Sequence, residues 1–216
     1  MFTLDHDVIK ALLIAAPKRD VRYYLVGACI DVRESDITLV ATDGHMLLAV
    51  PVPQQNIESA IPPGQYIIPR ATLEAVKPAK VGRTTLPIRV SVHVPEPAPD
   101  PDRPGVMLKH APTITLEGAT TATTAPVDAR FPDWRKVLPT TSSGELQQFD
   151  PALIARWDQI HSTLGASENS FPRIHHNGAN PAFIGNLWRD AIGVLMPVRD
   201  DTDVAKRDPL PSWAVA

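Results

Sequence analysis

The sequence predicts an α+β fold with antiparallel sheets, built from repeated strand–helix–strands units. Three observations carry this expectation. The order of short strand, helix and several strands recurs three times along the 216 residues. The helical stretches are short, and the strand candidates are separated by turns that suit hairpins. Proline is abundant, at 23 residues against 11 glycines, and it falls mostly between the periodic segments.

The first unit opens with the strand candidate Phe2-Thr3-Leu4. Asp5 offers an N-cap, Val8, Ile9, Leu12 and Leu13 form an apolar face at helical spacing, and Pro17 stops the helix. Strands are expected over 23–32, 37–41 and 47–52. The second unit starts at Gln65–Ile68 and Pro69, followed by a helix over 71–76 that ends by Pro78. Strands are then expected over 88–94, 106–110 and 113–116. The third unit starts with a strand over Leu146–Phe149. Asp150 is its N-cap, and Pro151 sits at the first helical position, where a missing N–H costs nothing. Leu153, Trp157, Ile160 and Leu164 follow at spacings of 4, 3 and 4. Strands around Phe183-Ile184 and over 192–198 complete the unit.

Five prolines fall between Pro95 and Pro104, so that stretch reads as a solvent-exposed hairpin loop. Ile61-Pro62-Pro63-Gly64 marks another loop, and 200–216 reads as a flexible tail.

Composition narrows the function. No apolar run approaches the length of a membrane span, and the start is acidic where a signal peptide needs a basic segment. A cytoplasmic location is expected. The single cysteine, Cys29, lies in an apolar run and supports neither an internal disulfide nor a cysteine zinc site. His161, His175 and His176 lack a partner set at metal-binding spacing. Asp43-Gly44-His45 reads as a strand connection before an acid–base pair, and no phosphate loop or nucleophile motif is present. No catalysis, cofactor or metal is expected. The net charge of −3 gives no global attraction to nucleic acid, so any DNA contact must use a local basic face.

Four segments carry a resemblance. They are Arg19–Gly27, Val40–Leu47 (VATDGHML), Val127–Pro139 (VDARFPDWRKVLP) and Val194–Arg199 (VLMPVR). In this order they resemble signature stretches of the bacterial DNA sliding clamp, the β subunit of DNA polymerase III. The first three are similar to its middle domain and the last to its extreme C-terminus. The resemblance implies the sliding-clamp fold, with 1–139 a clamp-type domain and 140–199 a partial one holding a single unit. It also implies a non-enzymatic processivity factor. Its partners would be double-stranded DNA, held non-specifically through a ring, and polymerase, clamp loader and repair proteins held through short linear peptides. The rival reading is a clamp-fold module that binds such peptides without encircling DNA.

Carried over by position, the peptide cleft would take Leu25, Thr42, Gly44, His45, Met46 and Leu47 on one side. Pro132, Lys136 and Val137 would come from the segment between domains, and Val194, Met196, Pro197, Val198 and Arg199 from the last strand. Met46 and Lys136 stand where the family has arginine, which would retune binding. Removing Leu25 and Met196 together is expected to abolish peptide binding and spare the fold. The DNA-facing set would be Arg70, Lys77, Lys80, Arg83 and Lys10, with Arg156 nearly alone on the third helix. The resemblance places the start of this chain at the start of the middle domain. A ring of twelve units would then need four chains of three units, so a homo-oligomer is expected.

Overall fold

The computed structural model describes residues 1–100, 103, 107–108, 110–167 and 170–198. Its elements, in chain order, are β1 (Phe2–Leu4), α1 (His6–Ala15), β2 (Gly27–Val32), β3 (Ile37–Thr42), β4 (Met46–Pro51), β5 (Gly64–Pro69) and α2 (Arg70–Ala75). There follow β6 (Lys80–Val81), β7 (Thr84–Thr85), β8 (Ile88–His93), β9 (Ala98–Pro99), β10 (Met107–Leu108), β11 (Thr113–Glu117) and β12 (Thr121–Thr124). The last part holds α3 (Pro151–Thr163), β13 (Arg173–His175), β14 (Ala182–Gly185) and β15 (Ile192–Leu195).

Each of the first two units lends its opening strand to the other. β1 pairs with β8 in register Phe2↔Val90 and joins the four-stranded sheet β1-β8-β11-β12. β5 pairs with β2 in register Ala28↔Ile68 and forms one edge of the seven-stranded sheet β13-β14-β15-β4-β3-β2-β5. Every pairing is antiparallel. The third unit extends the larger sheet, because β15 pairs with β4 in register Val194↔Leu47.

Alternation along the strands separates two cores. Ala28, Ile30, Leu39, Ala41, Leu48 and Leu195 face the helices and join Val8, Ile9 and Leu12 of α1. Cys29, Val40, Leu47, Ala49, Ile67 and Val194 face the other way, beneath a strap that contributes Phe131 and Trp134. Covering both faces explains why β2 is buried at every position, which a one-sided sheet would not require. α1 packs against α3 and lies over β2, β3 and β4. Trp157 of α3 is 2% exposed and rests on Gly193 of β15, where a Cβ would stand 2.3 Å from the indole ring. Only glycine permits that approach.

Asp150 caps α3 as expected, its carboxylate accepting the Ala152 N–H at 2.8 Å. The C-terminal end of α1, which has no basic residue in its own last turn, is closed by its neighbours. Arg70 of α2 donates to the carbonyls of Leu13 and Ala16 at 2.9 and 3.2 Å, and Arg156 of α3 donates to those of Ile14 and Ala15. Two cations therefore satisfy the free carbonyls and the negative end of the helix dipole.

Several expected elements differ. Leu146–Phe149 is not a strand. Within it the Gln148 carbonyl accepts the Val198 N–H at 2.9 Å, and just before it the Glu145 carbonyl accepts the Gly178 N–H at 3.0 Å. The opening strands of the first two units are stabilised by exchange with each other's sheets. No fourth unit offers this segment such a ladder among the described residues. The strand expected over 23–32 begins with a 3-10 turn at Tyr23–Leu25. The strand expected over 192–198 stops at Leu195, two residues before Pro197, which has no N–H to continue the ladder. β12, β13 and the small hairpin β6–β7 carry too little apolar alternation to be read from sequence. In the proline-rich region β9 pairs with β10 in register Pro99↔Met107, and 101, 102 and 104 lie outside the described residues. Of the strand expected over 106–110, Met107–Leu108 is formed, while 106 and 109 lie outside the described residues, as do Arg199 and the tail 200–216.

Candidate functional site

Four segments meet at one end of the β4–β15 seam. The first is the turn between β3 and β4. Asp43 holds it, with one carboxylate oxygen accepting the N–H groups of His45 and Met46 at 2.8 and 2.9 Å. Thr42 Oγ1 accepts the Gly44 N–H at 3.0 Å and donates to the Met46 carbonyl at 2.6 Å. Gly44 has φ +92°, and a Cβ there would stand 2.7 Å from Arg22 Nη1. Gly44→Ala should therefore loosen this turn, costing about 1 kcal/mol of stability by thermal melting and several-fold in any ligand affinity at the site.

The second segment, 20–25, lies beside the turn. Arg22 donates to the Asp43 carbonyl at 2.8 Å and pairs with Asp20 at 2.7 Å. The hydrogen bonds from Arg22 hold the Asp20 carboxyl down to about 2. The third segment is the strap over 127–138. Its Trp134 indole donates to the Asp31 carboxylate at 2.8 Å, Arg135 pairs with the same carboxylate, and the Arg135 guanidinium lies 4.1 Å above the Trp134 ring. The fourth is the end of β15 and the residues after it, where the Met196 N–H donates to the His45 carbonyl at 2.8 Å.

These segments enclose a cavity of about 220 Å³. Leu25, Thr42, Gly44, His45, Met46, Leu47, Pro132, Val137, Val194 and Met196 line it, all of them expected cleft residues. Its floor is formed by Leu25, Leu47 and Val194, each buried in the strap-side core. A larger groove of about 760 Å³ adjoins it, sharing Gly44, His45 and Met196 and adding Leu153, Pro181, Pro197 and Val198. Arg22, Tyr24, Asp133 and Trp134 also line the smaller cavity and were missed, although all four lie within the motif segments themselves.

Two expectations for the cleft need correction. Lys136 does not line it; its amine is well exposed and pairs with Asp133 at 3.1 Å within the strap. Leu25 is 2% exposed within the strap-side core, so its removal opens a void and costs stability as well as any binding. Met46 is also buried, on the helix side, so an apolar residue rather than an arginine suits its position.

The expected DNA-facing set is only partly brought together. Arg70 turns inward onto the end of α1 and pairs with Glu74 at 2.7 Å, its side chain 13% exposed. Lys10 pairs with Asp7 at 2.9 Å, and the Lys77 amine donates to the Glu74 carbonyl at 3.3 Å. Lys10, Lys77 and Lys80 line one polar groove that also holds Asp5, His6 and Asp7. Burial, and then Lys10, lower the pKa of His6, so it adds no cation there at neutral pH. Arg83 is exposed in the turn between β6 and β7.

Among the described residues no group of three His, Cys, Asp or Glu side chains could hold a metal ion, and no helix is long and apolar enough to cross a membrane. Burial, with Asp31 adding to it, raises the Cys29 thiol far above its ordinary value. Cys29 should resist iodoacetamide in the folded protein and react only on unfolding, as mass spectrometry of the alkylated chain would read.

Interlocked strand–helix–strands units, with helices on one face of a continuous antiparallel sheet, define the DNA-clamp scaffold. The chain belongs to the DNA polymerase III beta subunit family, whose central-domain model matches residues 4–133. The beta sliding clamps of Salmonella typhimurium and Escherichia coli K12 are each 30% identical over 151 residues, covering 68% of this chain and 36% of those proteins. The chain thus spans about a third of the length of the curated relatives it matches. The beta subunit from Pseudomonas aeruginosa superposes with a TM-score of 0.58 at 16% identity, covering 92% of this chain and 66% of that one. A sliding clamp from Bartonella birtlesii, solved bound to griselimycin, superposes at 0.54 with 18% identity, covering the same 92% and 66%.

Proposed function

We infer that this chain is a sliding-clamp-type recruitment factor that holds short linear peptides of replication or repair proteins in the cavity at the β4–β15 seam. The single observation that carries the reading is the convergence of four separate segments on one small apolar cavity with a wider groove beside it. An apolar pocket with a few polar groups at its rim suits a peptide with one or two hydrophobic anchors. Met196, at the junction of cavity and groove, is a side chain that adapts to varied anchors. Nothing in the reading asks for bond chemistry.

The test is an anisotropy titration of the full chain with a fluorescein-labelled decapeptide carrying a Leu-Phe pair between polar residues. Saturable binding, competed by griselimycin, supports the reading. Absence of both binding and competition removes it.

The role on DNA has two forms. In one, several copies close a ring and the chain tethers its partners to the duplex. β13 and β5 are the outer strands of the large sheet, but the Ile67 carbonyl of β5 already accepts the Val127 N–H of the strap at 2.9 Å, so β13 is the edge where a further chain would extend the sheet. In the other, the chain binds peptides without encircling DNA. The inward turn of Arg70 and Arg156 favours the second form, since both arginines are occupied by helix carbonyls. Phosphate contacts by free cations are the basis of non-specific DNA affinity. Retention on circular but not on linearised plasmid, together with a solution mass of several chains, selects the ring. A monomer that ignores DNA selects the module.

A further inference from the structure

Arg156 reads from the sequence as a nearly lone cation on the third helix, and its guanidinium is engaged on all three nitrogens. Nε and Nη2 donate to the Ile14 carbonyl, Nη2 also donates to that of Ala15, and Nη1 donates to Asp43 Oδ2. Its side chain is 27% exposed, and that of Asp43 only 12%. Asp43 is the residue that holds the β3–β4 turn. One of its oxygens fixes the His45 and Met46 amides, and its carbonyl is held by Arg22. Neither Arg156 nor Asp43 lines the cavity, yet Thr42, Gly44, His45 and Met46 on either side of Asp43 all do.

Building on the peptide-binding reading above, we propose that Arg156 is a positioning residue for the peptide cavity. Through Asp43 it locks the β3–β4 turn to the α1–α3 seam, so the cavity takes its binding shape only when the third unit's helix is docked. The physics follows from the groups present. Asp43 needs a second partner, because the amides of His45 and Met46 occupy only one of its two oxygens. Arg156 satisfies the other oxygen and cannot slide, because its remaining donors are fixed on the end of α1. A planar fork with several fixed donors can do this, whereas a single ammonium cannot reach the carboxylate and both carbonyls together. Arg156 therefore sets the shape of the cavity and contributes no free charge toward a DNA phosphate.

The test compares wild type, R156Q, R156K, D43N and the double variant R156Q/D43N, all as the full chain. D43N keeps an oxygen for the His45 and Met46 amides and leaves Arg156 on the α1 carbonyls, so it removes the link alone. Two readouts are taken: amide hydrogen exchange at His45 and Met46, and affinity for the Leu-Phe decapeptide. The expected result is exchange at least tenfold faster in R156Q and D43N, with exchange in β2 and β5 unchanged. Affinity should fall about five- to tenfold in each single variant and less than twofold further in the double. R156K should resemble R156Q. Wild-type exchange and affinity in D43N, or losses that multiply in the double, overturn the proposal. If R156Q fails to give a cooperative melt, D43N decides by the same two readouts. If wild type itself ignores the decapeptide, the peptide reading has failed, and the exchange comparison still decides whether Arg156 holds the turn.

Discussion

Trp157→Ala is expected to destabilise the protein by about 3–5 kcal/mol and to abolish peptide binding at the same time. Trp157 is fully enclosed between α3 and β15, and its ring occupies the space that Gly193 leaves by having no side chain. Truncation opens a large void where the third unit's helix rests on its strand. With α3 loosened, β15 loses its support, and β15 and the residues after it carry Val194 and Met196 to the cavity. A domain of this size loses roughly 2–4 °C of melting temperature per kcal/mol, so the midpoint should fall by about 6–20 °C. Hydrogen exchange should rise first in α3 and β13–β15, with β2 and β5 still protected. Equal loss of protection across both sheets would show that the third unit is not separately anchored. Gly193→Ala should act in the same direction, because its Cβ would displace the same ring.

Met196→Ala is expected to weaken the decapeptide by tenfold or more, about 1.4 kcal/mol, while the melting temperature moves by only a few degrees. Met196 lines both the small cavity and the adjoining groove, so an anchored peptide would pass over it whichever space takes the first side chain. It is only half-buried and belongs to neither core cluster, unlike Leu25, Leu47 and Val194. Its removal therefore takes away binding surface and little packing. An unchanged affinity would place the peptide elsewhere on the molecule.

The cavity was legible in the sequence to the extent that its residues sit in short, ordered motifs. Ten expected positions line it because the turn at Asp43-Gly44 and the strap at Phe131-Pro132 are local structures, set by residues close in the chain. The neighbours Arg22 and Trp134 lie in the same motifs and went unread. Their roles depend on where a side chain turns after folding, with Arg22 on the Asp43 carbonyl and Trp134 on Asp31. The same limit explains why the inward turn of Arg70 and Arg156 went unread. Arg70 and Arg156 are charged residues on short helices and look solvent-facing, but the end of α1 lies between them and draws both inward. A sequence lists the cations and does not show which helix end they will close. The alternating strands and the Asp150–Pro151 start of α3 were readable because cap and period act within one element. The segment over Leu146–Phe149 has strand-forming residues, but whether they pair depends on a neighbouring strand that local pattern does not reveal.

The β4–β15 seam is proposed as the peptide-binding cavity. A crystal structure of the full chain with the Leu-Phe decapeptide tests it most directly. An apolar anchor of the peptide is expected between Leu47, Val137, Val194 and Met196, with the rest of the peptide running along the groove past Pro197 and Val198. A peptide bound at any other surface, with this cavity unchanged from the free protein, would contradict it.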